Sequence, residues 1–347
     1  MKKIVFPISV LLIWVASTAA EELKPLPAPV SNNAVAGVKI RGQFLVYSFM
    51  GIGPQKSWNS VSNEAFALNT KYNNWTAIKP VPGSGRLGSV AVAANEQIFL
   101  FGGYVPDPNG AQSIVSDVAI YEPTALRWYR GAEMPTAVRD AIAGVYRDRY
   151  AYVVGGFGKS GPTNQVQVYD TVADKWLEGT PLVGAPVFGH AGAVVNDTIV
   201  YLAGAKRNAG SANPPYIPSD ECWMGKIDHH DPKKIAWSKL PAQPGTARYR
   251  IAAGASDRDQ RIYFVGGSHA IYDFNGIGLD SKPGEPSPLV FAFDLKSNKW
   301  ETIQENAPNP TMDHRGLAVA SDGLIVVGGM AQGQKVVATT VLLPKKK

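Results

Sequence analysis

RDAIAGVYRDRYAYVVGGFGKSGPTNQVQVYDTVADKWLEGTP, residues 139–181, is the stretch that decides the fold. Apolar residues alternate over 141–145, a charged turn follows at 147–149, and a second apolar run over 150–154 ends in Gly155 and Gly156. After a polar loop, Val166 and Val168 alternate with polar partners in a third run over 164–170, and Asp174 turns the chain into a fourth around Trp176. Period-two alternation broken by turn residues predicts short strands, and four of them in succession make one antiparallel sheet.

The same unit recurs on both sides. Its second strand ends at Ser48, Gly102-Gly103, Gly155-Gly156, Gly204, Gly266-Gly267 and Gly328-Gly329, which gives six units. Tryptophans in the fourth-strand position fall at 75, 128, 176, 237 and 300, with spacings of 53, 48, 61 and 63 residues. The sixth unit lacks a fourth strand and a tryptophan, whereas residues 22–27, ELKPLP, resemble the close of one. The reading is therefore all-β, with an N-terminal strand completing the last sheet so that no edge is left exposed. Unit boundaries fall near 31–82, 83–135, 136–183, 184–244, 245–308 and 309–343 plus 21–29, within one domain over 21–347.

A glycine pair, a hydrophobic-acidic pair such as Tyr169-Asp170, then Trp, on a period near 50 residues, resembles the kelch repeat. The resemblance implies a six-bladed β-propeller. A small sheet with two apolar faces cannot bury both alone, so such sheets stack radially around a channel.

Residues 1–20 read as a secretory leader: Lys2 and Lys3, an apolar run over 4–15, then Ser17-Thr18-Ala19-Ala20. The run is shorter than the roughly 20 residues of a spanning helix, so the expected location is periplasmic or secreted, with no membrane attachment after cleavage. Without Lys2 and Lys3, 32 Lys and Arg face 28 Asp and Glu, a net +4 spread along the chain. That distribution gives no phosphate track and argues against nucleic acid. The terminal lysines 345–347 are expected to be solvated. Cys222 is the only cysteine, so no intrachain disulfide forms, and it is expected to be a buried small hydrophobe.

Function in such folds sits on loops. The segments entering the first strands and those joining strands two and three share one face of a four-stranded blade. There the sequence offers Asn32-Asn33, Arg86, Arg139-Asp140, His190, Arg248, Arg250, Asp313, His314 and Arg315. Five arginines and two histidines against two carboxylates predict a funnel for a carboxylate or phosphate, which guanidinium groups bind through paired hydrogen bonds. The longest connections, 205–220 and 268–288, carry Tyr216, Tyr272 and Phe274 and are expected to overhang the same mouth. His229 and His230 should lie on the opposite face as a solvated turn rather than a metal site. No metal or other cofactor is expected, and copper radical chemistry of the galactose oxidase kind finds no adjacent Tyr-His pair here.

A leader followed by six kelch units closed by an N-terminal strand also resembles the periplasmic sialic acid mutarotases, the N-acetylneuraminate epimerases. The resemblance implies a Glu after the glycine ending the second strand of blade four, with an Arg shortly after. This sequence has Gly204-Ala205-Lys206-Arg207, which keeps Arg207 and lacks the Glu. Any proton transfer would fall to Asp140, His190, Asp313 or His314. Three readings follow: a binder of a small anionic ligand such as a sugar acid, a mutarotase-like isomerase with a relocated acid or base, and a platform for a protein partner.

Overall fold

The computed structural model describes residues 21–345; the expected leader, Lys346 and Lys347 lie outside the described residues. Six four-stranded antiparallel sheets are present among them, five ordered as simple meanders and the sixth closed by a strand from the other end of the chain. The third blade contains Ile142–Tyr146, Tyr150–Val154, Val166–Asp170 and Lys175–Gly179, within two residues of the sequence expectation. No helix among the described residues is long and apolar enough to cross a membrane.

The last blade takes Ala318–Val319, Leu324–Val327 and Thr340–Leu343 from the C-terminal end and Glu21–Leu23 from the N-terminal end. Backbone partners run from Glu21 with Leu342 to Leu23 with Thr340. The chain continues along the same blade: Leu26 is 3% exposed and its amide donates to Ala338 O at 2.8 Å.

Each fourth-strand tryptophan ties its blade to the one before. The indole N–H groups of Trp75, Trp128, Trp176, Trp237 and Trp300 donate to the carbonyls of Lys24, Lys79, Ala132, Thr180 and Pro241, at 2.8 to 3.2 Å. All five acceptors lie just past the fourth strand of the preceding blade. The repeat in the sequence is thus a repeat of one interblade contact: the ring fills apolar space between sheets, and its polar edge finds an acceptor there.

The core lies between blades. Phe99 and Phe101 of the second blade pack edge-on against Tyr169 of the third, at 5.9 and 5.8 Å. Cys222 is free, 1% exposed, and burial pushes its thiol up to about 11. One expectation at the C-terminus needs correction: Lys345 is not solvated, because its ammonium meets Asp259 Oδ2 at 2.6 Å in a largely buried pair.

Candidate functional site

Each first strand is entered through a residue in the left-handed backbone region: Asn32, Gly88, Asp140, Gly189, Arg250 and Asp313, with φ between 55° and 70°. Their backbones are linked around the axis. Asn32 N donates to Asp313 O at 3.1 Å, Asp140 N to Gly88 O at 2.9 Å, Gly189 N to Asp140 O at 2.7 Å and Arg250 N to Gly189 O at 2.8 Å. Between the first two blades the Asn32 side-chain oxygen takes the Gly88 amide at 2.6 Å, and His314 N donates to Arg250 O at 3.3 Å to complete the circuit. We call this ring the crown. At Gly189 only glycine fits, since a Cβ there would lie 2.0 Å from the Tyr249 ring.

Side chains fill the crown with compensating charge. Asp140 Oδ2 accepts from Arg139 Nη1 at 2.5 Å, and Asp140 Oδ1 faces Arg315 Nη2 at 2.5 Å and Arg250 Nη2 at 3.5 Å. Asp313 Oδ1 accepts from Arg250 Nη1 at 2.9 Å and from Asn32 Nδ2 at 3.0 Å, while Ser31 Oγ donates to Asp313 Oδ2 at 2.7 Å. Burial alone would raise the Asp140 carboxyl, but the three guanidinium groups overcome it and hold the carboxyl well below its usual range. Three arginines on two aspartates leave a formal excess of one positive charge.

The expected funnel is not an open one. Asp140, Asp313, Arg250 and Arg315 are all buried, and the Arg139 side chain is 12% exposed. Below the crown runs a channel of about 240 Å³ lined by small first-strand residues such as Ala36, Ala93, Gly144, Gly192 and Gly254. Above it lie aromatic rings. The Arg139 guanidinium sits 4.3 Å from the Phe157 ring centre and 5.0 Å from Tyr104, and that of Arg250 sits 4.7 Å from Tyr249 and 5.2 Å from Tyr272.

Several candidates stand apart from the cluster. Arg86 is buried and pairs with Asp117 of its own blade at 3.3 Å. Arg248 donates to Ser287 Oγ at 3.0 Å beside Phe291, meets no carboxylate among the described residues, and is pushed down to about 10 by burial. Arg207 is exposed and donates to Ser160 O at 3.4 Å, away from the cluster. The connection expected as loop over 205–220 is partly strand: Val187–Phe188 pairs with Ala205–Arg207, which pairs with Tyr216–Pro218. Ala205 is fully buried there. His229 is exposed at the opposite mouth, 3.5 Å from Asp197. Tyr104 and Phe157, which follow the glycine pairs of blades two and three, were not singled out from sequence; their position beside Arg139 is the signal that would have found them.

His190 and His314 occupy the position one residue past the crown, where blades one and two carry Asn33 and Ser89. Those two reach the carbonyls of Val327 and Gly102 respectively, so this position faces the second-strand end of the preceding blade or the glycine pair of its own. His190 follows suit beside Gly155 and edge-on to Tyr201, and His314 Nε2 lies 3.0 Å from Thr311 Oγ1. Burial pushes both imidazoles down to about 4. A base whose folded pKa is depressed contributes stability that is complete above its unfolded value near 6.5 and is lost as pH falls toward the folded value. Stability should therefore decline between about pH 6.5 and 4, by up to about 1.4 kcal/mol per pH unit for each histidine, and the melting temperature with it. His190→Phe should flatten that decline; an unaltered profile of melting temperature against pH would assign the acid sensitivity elsewhere.

Comparison with known proteins adds three observations. The model of the KLHDC2/KLHL20/DRC7 Kelch-repeats domain matches residues 36–267. Among curated relatives, Kelch-like protein terF of Aspergillus terreus is 25% identical over 72% of this chain and 51% of its own length. The N-acetylneuraminate epimerase 1 of Escherichia coli O6:H1 is 21% identical over 96% of this chain and 94% of its own length. The chain spans about half the length of the first kelch-like relatives it matches. The solved structure of YjhT has a TM-score of 0.72 at 17% identity, covering 94% of this chain and 97% of that one, and so shares the fold.

Proposed function

The chain belongs to the kelch-repeat family, and from that premise we propose that it is an exported propeller that binds a small anionic ligand, a sugar acid, at the loop end of its channel. One observation carries the reading. Arg139, Arg250 and Arg315 converge on Asp140 and Asp313 with one positive charge in excess, under a roof of aromatic rings. Guanidinium groups in a water-poor site bind a carboxylate strongly, and aromatic faces suit the apolar face of a sugar ring. Similarity to an N-acetylneuraminate epimerase along nearly the whole length favours a sugar acid among small anions. Location outside the cytoplasm, periplasmic or secreted, is part of the proposal and rests on the leader at residues 1–20.

The same full-length similarity favours a second reading, interconversion of sialic acid anomers. Such chemistry needs a group that gives and takes a proton near neutral pH. Ala205 supplies none, and Asp140 is held ionised by its arginines. His190 or His314 would have to serve, each on the channel wall and pushed by burial down to about 4, far from the neutral range such a group needs. The binder therefore stands ahead of the isomerase.

Arg139 is the crown arginine nearest solvent, and Arg139→Ala should weaken binding of N-acetylneuraminate about tenfold or more, the worth of a charge-assisted hydrogen bond. Titration calorimetry reads this directly. Unchanged affinity in the variant would sink the site, and NMR of anomer exchange in the wild type separates binder from isomerase.

A further inference from the structure

We infer that the connection over residues 268–288 is a lid on the crown and that Tyr272 is the residue through which it contacts the bound anion. The inference rests on the anion-binding reading above and adds the ligand-facing group and the barrier to entry.

The connection leaves the fifth blade after Gly266-Gly267 and crosses the axis. Ile271 and Tyr272 are buried against Tyr249, with the two tyrosine rings edge-on at 5.3 Å. Two residues further on, Phe274 packs with Ile52 of the first blade and with Leu87 and Tyr104 of the second. A segment rooted in blade five and touching blades one and two spans the mouth. Its backbone is folded on itself: Leu279 N donates to Ile271 O at 2.9 Å and Gly276 N to Asp273 O at 2.9 Å. Gln334 of the sixth blade holds its far end, donating to Gly284 O at 2.7 Å and to Glu285 Oε1 at 3.0 Å. The segment is thus a compact flap latched at Phe274 and at Gln334 rather than a strand of the propeller, and a ligand arriving from the loop side meets it first.

Tyr272 is the flap residue that reaches the charges. Its ring lies over the Arg250 guanidinium at 5.2 Å, and Asp313, Arg250 and Arg315 are the charged groups whose fields it feels most. It is 2% exposed, and its hydroxyl has no hydrogen-bond partner among the described residues. The two Asp313 oxygens are taken by Ser31, Asn32 and Arg250. A buried hydroxyl without a partner is costly and uncommon. Here it stands by Arg250 and Arg315, each of which also has an Nε without a hydrogen-bond partner among the described residues. Two guanidinium Nε donors and a hydroxyl left unpartnered at the crown, beside one positive charge in excess, describe the place of a ligand anion, and the phenol, which burial keeps protonated, is a donor too.

The test compares wild type, Tyr272→Phe and Phe274→Ala with two probes, N-acetylneuraminate and acetate, and with phenylglyoxal labelling of Arg250 read by peptide mass. Tyr272→Phe should leave the unliganded melting temperature equal or higher, because no hydrogen bond is lost, and should weaken anion binding about tenfold. Phe274→Ala should unlatch the flap and speed labelling of Arg250 about tenfold, a shift of about 1.4 kcal/mol in the opening equilibrium. A Tyr272→Phe protein that melts several degrees lower, or that binds as wild type does, overturns the role of Tyr272; equal labelling in wild type and Phe274→Ala overturns the lid. If acetate binds and N-acetylneuraminate does not, the sugar-acid reading falls and Tyr272 is judged on acetate. If neither binds, both fall.

Discussion

A chain beginning at Val30 should melt on the order of 10 °C lower than one beginning at Glu21. The nine residues removed make few contacts by count but sit where two blades meet. Their loss strips the outer strand from Thr340–Leu343, removes Leu26 from its buried site and takes the Lys24 carbonyl from the Trp75 indole. Burying one leucine is worth about 2 kcal/mol and each hydrogen bond about 1 kcal/mol net, so the total is on the order of 6 kcal/mol. A kcal/mol moves the midpoint by only about 2 °C in a chain this long. What remains is also an unpaired edge at Thr340–Leu343, a template for pairing with another chain, so the shortened protein should aggregate on heating. Calorimetry of the two chains decides the matter. Matching melting curves would mean that the crown bonds between Asn32 and Asp313 hold the first and last blades together without the strand.

The blades were legible because each repeats the same local demand. Glycines end the second strand where the next blade presses on the backbone, and tryptophan enters the fourth strand where a carbonyl of the preceding blade awaits its N–H. Both are short-range signals copied along the chain. The crown was legible only in part. The sequence places Arg139, Asp140, Arg250, Asp313 and Arg315 at first-strand entries, but whether they point at one another depends on six blades meeting at an axis, and no local pattern records that. Arg86 looked equivalent to Arg139, yet it stands one residue earlier in its blade, before Leu87, which bridges Tyr104 as Arg139 bridges Phe157. That single step turns it away from the axis toward Asp117. His190 and His314 lie one residue past the crown, and the same step sets their rings against Tyr201 and Thr311 at the channel wall rather than among the crown's charges. The roof was legible as a long aromatic connection over the mouth, but its contacts were not. Tyr272 and Phe274 sit in a connection without periodicity, and their partners on blades one, two and five are far away in sequence.

Asp140→Asn should cost about 3–5 kcal/mol at neutral pH, the range for removing one partner from a buried ion cluster. Asparagine keeps the shape and accepts the left-handed backbone that Asp140 adopts, so the change removes charge and little else. Arg315 and Arg250 would then face each other with Asp313 as the cluster's remaining carboxylate, and Arg139 would lose its partner. Because the cluster is buried, added salt should recover little of the loss, unlike a surface pair. The pH dependence follows from the direction of the Asp140 shift. Its folded pKa lies below the unfolded value near 3.9, so the stability it contributes is complete above that value and is lost as pH falls beneath it. The gap between wild type and Asp140→Asn in urea unfolding should accordingly hold constant from pH 8 to about 5 and narrow below about 4. Adding Arg315→Met to Asp140→Asn removes the charge left stranded, and the double variant should be less destabilised than the two single losses added together. Strict additivity would mean that Arg315 and Asp140, although 2.5 Å apart, do not act on each other, and the crown would then be a packing feature with no electrostatic role.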